Sequence, residues 1–370
     1  MELYPEIKRI IFITDTHFGI RNNANEWIDI QEKYFIDWFI PKIKEIWKPG
    51  DCLVHLGDVY DSRQALNLRV MNLGVRVFEE LSRIFHKEGI YILCGNHDIY
   101  GKETNDVNSL VSIKWIPSVK IYQEPASLKM GNKTIFMMPW RKDHDVEGEL
   151  LNKTPSHDYL FCHTDISGMK HNKYSNVPHG ISYKKLDNFE RVYSGHIHYA
   201  QNYGKVRMLG SPYELTRADA DNTKHFLVLD LETGEETYYK NNFSPKFIRV
   251  PLVEVFNKTP IELEDRFRNN FVDVMIQSRI SQSQLDVITQ MIKTQRDIKY
   301  VTESKKGEQE TDNENILYRV DGKNFSIVDI MDQYVEGLEE NKTEKERIKK
   351  TLKSLYTRVT KKQEEQDEIK

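Results

Sequence analysis

The sequence predicts an α/β fold in which two stacked sheets are flanked by helices. Three observations predict it. Residues 10–98 read β-α-β-α-β, the order of a layered sheet with covering helices. Six further short apolar runs follow, separated by turn residues, more than one sheet of a single domain accommodates. Five polar motifs each stand directly after an apolar run: DTH at 15–17, GD at 57–58, GNHD at 95–98, CH at 162–163 and GHIH at 195–198. Open α/β sheets place their chemistry at the carboxyl ends of strands, so the motifs converge on one rim.

The elements follow in order. Ile10 to Ile13 is the first strand. A helix is predicted over 26–47, with Trp27, Ile30, Tyr34, Trp38 and Phe39 at helical spacing as core and Pro41 bending or interrupting it. CLVHLGD is the second strand, LNLRVMNLGVRVFEELSRIF a helix and GIYILCGNHD the third strand. VKIY, KTIFMMPW, YLFCH, RVYSGHIH, KVRMLG and HFLVLDL supply six more strands. These make a main domain over 1–245. A small α/β unit is expected over 246–302, with NFVDVMIQSRI as strand and SQLDVITQMIKTQ as helix. Residues 303–322 are polar and charged without apolar periodicity, which marks a linker.

Two helices are expected over 323–362, then a charged tail over 363–370. Ile327, Ile330, Met331, Tyr334 and Leu338 share one face of the first. Thr343 and Glu346 form a capping box at the start of the second, where Ile348, Leu352, Leu355 and Val359 make a narrow seam. A narrow stripe beyond a polar linker suits docking on a partner. The alternative is a helical hairpin folded back on the main domain.

Bulk composition excludes several classes. The chain has 370 residues, 39% hydrophobic and 30% charged, with a net charge of −4. That is a globular composition with a polar surface. No run approaches the roughly 20 apolar residues of a membrane-spanning helix. The N-terminus lacks the basic-then-apolar pattern of a signal peptide. Cys52, Cys94 and Cys162 are odd in number, lie inside apolar runs and have no CxxC spacing, so they are expected as buried hydrophobes in a reducing, cytoplasmic setting. The net charge gives no support to nucleic-acid binding, yet a local basic patch is compatible with it.

The motifs present Asp15, His17, Asp58, Asn96, His97, His163, His196 and His198. Oxygen and imidazole groups without thiolate suit manganese, iron or zinc. Asp15 and His17 are two apart, and on a strand both would point the same way. His196 and His198 obey the same rule if their strand continues; if it bends, each faces a different metal. The Asp58 carboxylate follows a strand and a glycine and has two oxygens with which to bridge cations. Two divalent cations about 4 Å apart support in-line phosphoester hydrolysis without a covalent nucleophile.

The order D-x-H, G-D, G-N-H-D, H, G-H-x-H resembles the calcineurin-like metallophosphoesterases. GSPYEL at 210–215, the small α/β unit and the C-terminal helices look like the SbcD-type DNA repair nucleases. GDVYDSRQA, MPW and HG at 179–180 are most similar to the recombination endonuclease subunits of T4-like tailed phages. The likeness is dense over the first 220 residues and thin afterwards.

This resemblance implies a four-layer α-β-β-α sandwich with a small capping domain that binds DNA. It implies that Asp15, His17, Asp58 and His198 hold one metal and that Asp58, Asn96, His163 and His196 hold the other. His97 would face the phosphate and protonate the leaving oxygen or stabilise the transition state. Manganese is the implied metal, with magnesium in vivo as the alternative. Implied partners are DNA, an SbcC-like ABC-type ATPase and a second copy, the homodimer sitting within a heterotetramer, with no membrane. The location would be the host cytoplasm if the chain is phage-encoded. The activity implied is a two-metal DNA exonuclease or endonuclease in double-strand break processing and recombination. The alternatives are a metallophosphatase or small-substrate phosphodiesterase on the same site, and a non-catalytic scaffold.

Where cellular relatives carry a histidine three residues after the GD motif, this chain has Asp61. Its carboxylate is expected to accept a hydrogen bond from His97, or else to cap the following helix. Arg63 is expected on a phosphate or in a surface ion pair. The segment GMKHNKYSNVPHG presents Lys170, Lys173 and His179 to a nucleic-acid backbone, or is an ordinary basic loop. Tyr213 and Arg217 are further candidates of that kind. The chain has no G-x-x-x-x-G-K-[ST] motif, so ATP hydrolysis would fall to a partner.

Overall fold

The computed structural model describes residues 1–101, 105–276, 297–302, 335, 342, 344–351 and 354. Residues 1–303 form one compact unit and residues 304–370 a second. The strands run β1 Glu2–Tyr4, β2 Arg9–Ile13, β3 Asp51–His55, β4 Ile90–Leu93, β5 Val119–Tyr122, β6 Ala126–Met130, β7 Lys133–Met138 and β8 His157–His163. They continue with β9 Phe189–Gly195, β10 Gln201–Tyr203, β11 Val206–Met208, β12 His225–Asp230, β13 Glu236–Lys240, β14 Phe247–Pro251, β15 Phe271–Ile276 and β16 Asp297–Thr302.

Two sheets stack. One has the order β13-β12-β2-β3-β4-β5, the other β1-β6-β7-β8-β9-β11-β10. In the first, β2, β3, β4 and β5 are parallel, in register Ile13↔His55↔Ile92. In the second, β7, β8 and β9 are parallel, and His163 pairs with Gly195. The strands that carry the motifs therefore end at one rim. Fully buried strands explain the near-continuous apolar runs, which parallel sheets covered on both faces require.

Three cores make the layers. Between the sheets, Phe12 stacks on Tyr193 at 4.8 Å and meets Phe161 edge-on at 4.9 Å. On the outer face of the first sheet, the helices Asn25–Lys33 and Leu68–Ile84 bury Trp27, Ile30, Val70, Val77 and Phe78 against Ile11, Leu53 and Ile90. On the outer face of the second, His144–Lys153 buries Leu151 against Phe136, Leu160 and Val192. This is the four-layer α-β-β-α arrangement.

The predicted helix over 26–47 is three segments. Asn25–Lys33 passes through a π-helical turn at Tyr34–Phe39 into Ile40–Ile46. Pro41 lacks the N–H an α-turn there would use, and the wide turn lies just before it. β1, β6, β10, β13 and the helix His144–Lys153 had no clear sequence signal, because they are edge or half-exposed elements with mixed polarity.

The small unit is a parallel sheet, β14-β15-β16, with a core of Val250, Val255, Leu263, Val272 and Val274. It is joined to the larger sandwich by Phe271 stacked on Trp27 at 5.5 Å and by Arg217 paired with buried Asp273. In the second unit residues 344–351 are helical and Ile348 is partly buried. The expected helix over 283–295, the linker, and Ile327, Ile330, Met331, Tyr334, Leu352 and Leu355 lie outside the described residues. No described helix is long and apolar enough to cross a membrane.

Candidate metal centre

The rim is built from loops under backbone strain. β2 ends at Ile13, and Asp15 and His17 have φ of 50° and 43°. Asp58 and His196 are also left-handed, at 56° and 83°. Non-glycine residues held there cost roughly 1–3 kcal/mol each and cluster at functional sites. Asp15 and His17 do converge, but through these turns and not through the strand alternation expected of them. Likewise β9 stops at Gly195, so His196 and His198 face different neighbours.

Two glycines let the loops meet. A side chain at Gly57 would meet His163 Nδ1 at 2.5 Å, and one at Gly95 would sit on the Asp58 amide nitrogen and Oδ1. Buried Asp98 ties the loops together: it accepts from the amides of Asp58, Val59, Tyr60 and Gly95. Gln31, also fully buried, donates to the carbonyls of Thr16 and His17 at 3.0 and 2.7 Å and accepts from Gly19 N–H.

Among the described residues three candidate ligand groups form, each with ligand atoms within 4.8 Å of one another: Asp15, His17 and His198; His17, Asp58 and His97; and Asp58, His163 and His196. Asp58 Oδ2 stands between the halves, 3.5 Å from His17 Nε2 and 3.3 Å from His163 Nε2. Asn96 Oδ1 lies 3.1 Å from His163 Nε2 and 2.7 Å from His196 Nδ1. His198 Nε2 is 3.0 Å from His17 Nε2.

The outer ring nitrogens explain which atoms face inward. His163 Nδ1–H donates to Leu56 O at 2.7 Å, His196 Nε2–H to Asp165 at 3.1 Å and His17 Nδ1–H to Asp61 at 3.0 Å. Each bond fixes the tautomer and leaves the inner nitrogen with a lone pair. Lone pairs of nitrogen and oxygen therefore converge at 2.7–3.5 Å with no proton to separate them. A cation is the natural partner for such a set, so the residues fit divalent metal ions.

Without a cation, protons take that role. Burial lowers the His163 pKa, but the Asp58 carboxylate beside it raises it to about 9. Burial raises Asp58, yet His163 and His17 outweigh it and hold the carboxyl well below its usual range. Burial, reinforced by Asp58, pushes Asp15 up; burial, reinforced by His17 and Lys224, pushes His198 well down.

Asp61 departs from expectation. Its carboxylate holds His17; its main-chain carbonyl accepts from His97 Nδ1–H at 2.8 Å. The carboxylate is 3.6 Å from His97 Nδ1, beyond a hydrogen bond. Arg63 turns to the site and not to a surface acid: its Nη2 donates to His97 Nε2 and its Nε to the main-chain carbonyl of Asn96. With both ring nitrogens engaged, His97 is neutral, and burial lowers its pKa to about 4.

The other candidates scatter. Tyr213 is buried at 1% exposure, with its hydroxyl on Thr16 O and Gln31, so it supports the DTH loop and offers nothing to DNA. Arg217 donates to Asp273 at 2.7 Å and lies over Phe247, which places it in the joint with the small sheet. Lys173 pairs with Asp221 at 3.0 Å on the exposed loop, where Lys170 N–H donates to Gln201. His179 lines a cavity of about 720 Å³ with Lys142, His144 and Ser167. The three cysteines are free and buried, and burial raises each thiol pKa, that of Cys162 to about 12.

Sequence reasoning missed Gln31, Asp98 and Asp165. Asp98 stood in the GNHD motif and Asp165 two residues after His163, but nothing local marks Gln31.

The chain is 24% identical over 361 residues to exonuclease subunit 1 of Enterobacteria phage T4, covering 95% of this chain and 99% of that one. A solved archaeal phosphodiesterase is 15% identical over 63% of this chain and 99% of its own, with a TM-score of 0.31. A protein of unknown function from Aquifex aeolicus is 19% identical over 53% of this chain and 82% of its own, with a TM-score of 0.28. Neither structural likeness is close enough to bear on the assignment. The family profile described as calcineurin-like phosphoesterase matches residues 8–200, the two stacked sheets up to and including GHIH, and the chain belongs to that family.

Proposed function

We propose that the chain is a two-metal DNA nuclease subunit. Phosphoester hydrolysis rests on one observation: a single oxygen, Asp58 Oδ2, lies within 3.5 Å of inward nitrogens from both halves of the centre. Asp15, His17, Asp58 and His198 would hold one ion, and Asp58, Asn96, His163 and His196 the other. The chemistry such a pair of divalent ions would supply is activation of water near neutral pH and offset of phosphoryl charge, with manganese the proposed species and magnesium the alternative in vivo. The protein does the rest. Asp61 O and the Nδ1–H of His97 set the ring so that Nε2 is the nitrogen left for the substrate, and on taking a proton there it serves the leaving oxygen as acid or hydrogen-bond donor. Asp61 and Asp165 hold His17 and His196 in register.

DNA as substrate is supported by the full-length match to a phage exonuclease subunit. That relative is itself a subunit, which supports a partner; we assign this role to an SbcC-like ABC-type ATPase docked on the helices expected over 323–362, with a homodimer in the complete assembly. Residues 246–302 would cap the substrate, and Lys170, Lys173 and His179 would follow its backbone. The test is cleavage of single- and double-stranded DNA with manganese, with and without the ATPase and ATP. Cleavage of bis-p-nitrophenyl phosphate but of no DNA would sink the nuclease reading and favour a small-substrate phosphodiesterase. Deleting residues from Phe325 onward is expected to abolish ATPase capture and keep basal cleavage.

A further inference from the structure

The Asn96 amide has two orientations that occupy the same positions with opposite consequences. With its oxygen inward, Oδ1 joins the inward lone pairs of His163, His196 and Asp58, and its NH2 faces Arg63 Nη2, donor against donor. With the amide turned round, NH2 reaches His163 Nε2 at 3.1 Å, His196 Nδ1 at 2.7 Å and Asp58 Oδ2 at 3.3 Å, and the oxygen accepts from Arg63 Nη2 at 3.1 Å. In the first, a cation is needed to separate the inward oxygen from the His196 Nδ1 lone pair; in the second, the NH2 donates to that nitrogen and no cation is needed.

Arg63 is the connection to the chemistry. Its guanidinium donates from Nε to the main-chain carbonyl of Asn96 and caps His97 Nε2 through Nη2. His97 Nδ1 is already committed to Asp61 O, so Nε2 is the one nitrogen it has for a substrate. While Arg63 sits there, that nitrogen is covered.

We propose that Asn96 is a metal-sensing switch: in the metal-free protein its oxygen anchors Arg63 over His97, and metal loading turns the amide and releases Arg63, uncovering His97 for the substrate. The proposal rests on the metal-centre reading above. A released guanidinium beside the centre is then free to take a phosphate oxygen, which it binds more strongly than an imidazole because the acceptor is charged.

The experiment reads imidazole accessibility, not turnover. Full-length protein is treated with diethyl pyrocarbonate, with and without zinc or manganese chloride alone, and carbethoxylation is mapped by peptide mass spectrometry. Expected is protection of His196, which becomes a ligand, together with a roughly threefold or greater rise at His97, the equivalent of one hydrogen bond lost. Arg63→Gln is expected to leave His97 reactive in both states. Asn96→Asp offers one oxygen inward and one to Arg63, so metal still protects His196 while the rise at His97 disappears. Protection of His196 without a rise at His97 in the unsubstituted protein overturns the switch and leaves the metal centre standing. No protection of His196 overturns both.

Discussion

The Asp61 carboxylate lies 3.0 Å from His17 Nδ1, while the carbonyl of the same residue lies 2.8 Å from His97 Nδ1. One residue thus orients a candidate metal ligand with its side chain and the candidate acid with its backbone. Substitution at Asp61 separates the two functions. Asp61→Asn is expected to weaken metal binding by about 10- to 100-fold, the usual loss when such a carboxylate is removed, and to restore most activity at saturating manganese. Calorimetric metal titration beside activity checks this. An unchanged metal affinity would show that His17 needs no carboxylate.

Asp165 plays the matching part for His196, at 3.1 Å. Asp165→Asn is expected to lower affinity for one of two ions and leave the other, giving a biphasic metal titration. A uniform loss at both would contradict the division of ligands proposed here.

His97→Ala is expected to lower kcat by about 10²- to 10⁴-fold, the range for general acid–base catalysis, with metal stoichiometry intact. Asp58→Ala is expected to abolish both activity and two-metal binding, because its Oδ2 faces both halves. Inductively coupled plasma analysis alongside kinetics distinguishes the two variants. A retained two-ion stoichiometry in Asp58→Ala would remove the bridging role.

His55 gives a pH prediction independent of activity. Its Nδ1 accepts from Gly57 N–H at 3.2 Å and its Nε2 is 3.1 Å from Thr16 Oγ1. Burial, helped by His163, lowers its pKa to about 3. The folded value lies below the unfolded one of about 6.5, so the unfolded chain binds more protons between the two. The contribution is fully present above pH 6.5 and is lost as pH falls toward 3, at about 1.4 kcal/mol per unit. Urea unfolding of wild type and His55→Gln at pH 7 and 5 reads this as a difference in slope of close to one proton.

Arg217→Ala is expected to cost about 3 kcal/mol of stability by leaving Asp273 buried without its main partner. DNA affinity is expected to stay unchanged. Loss of DNA binding at wild-type stability would return Arg217 to the nucleic-acid surface.

Much was legible in the sequence because two signals are local. Apolar runs that end in Asp, Asn and His mark strand ends at a rim, and residue types name the chemistry. That was enough for the sandwich and for naming the residues that gather at its rim. The alternation argument for Asp15 and His17 reached the right neighbours by the wrong route, since the strand stops at Ile13 and left-handed turns do the work.

Tertiary structure alone decided the rest, because the deciding contacts join residues far apart in the chain. Tyr213 and Arg217 have the side chains of a DNA surface, yet Tyr213 reaches Thr16 and Arg217 reaches Asp273. Asp61 and Arg63 face His17 and His97 across loops from different strands. Which of two oxygens, or which orientation of one amide, meets a partner depends on positions a few tenths of an ångström apart. Residue order specifies what can bond; packing of the two sheets selects what does.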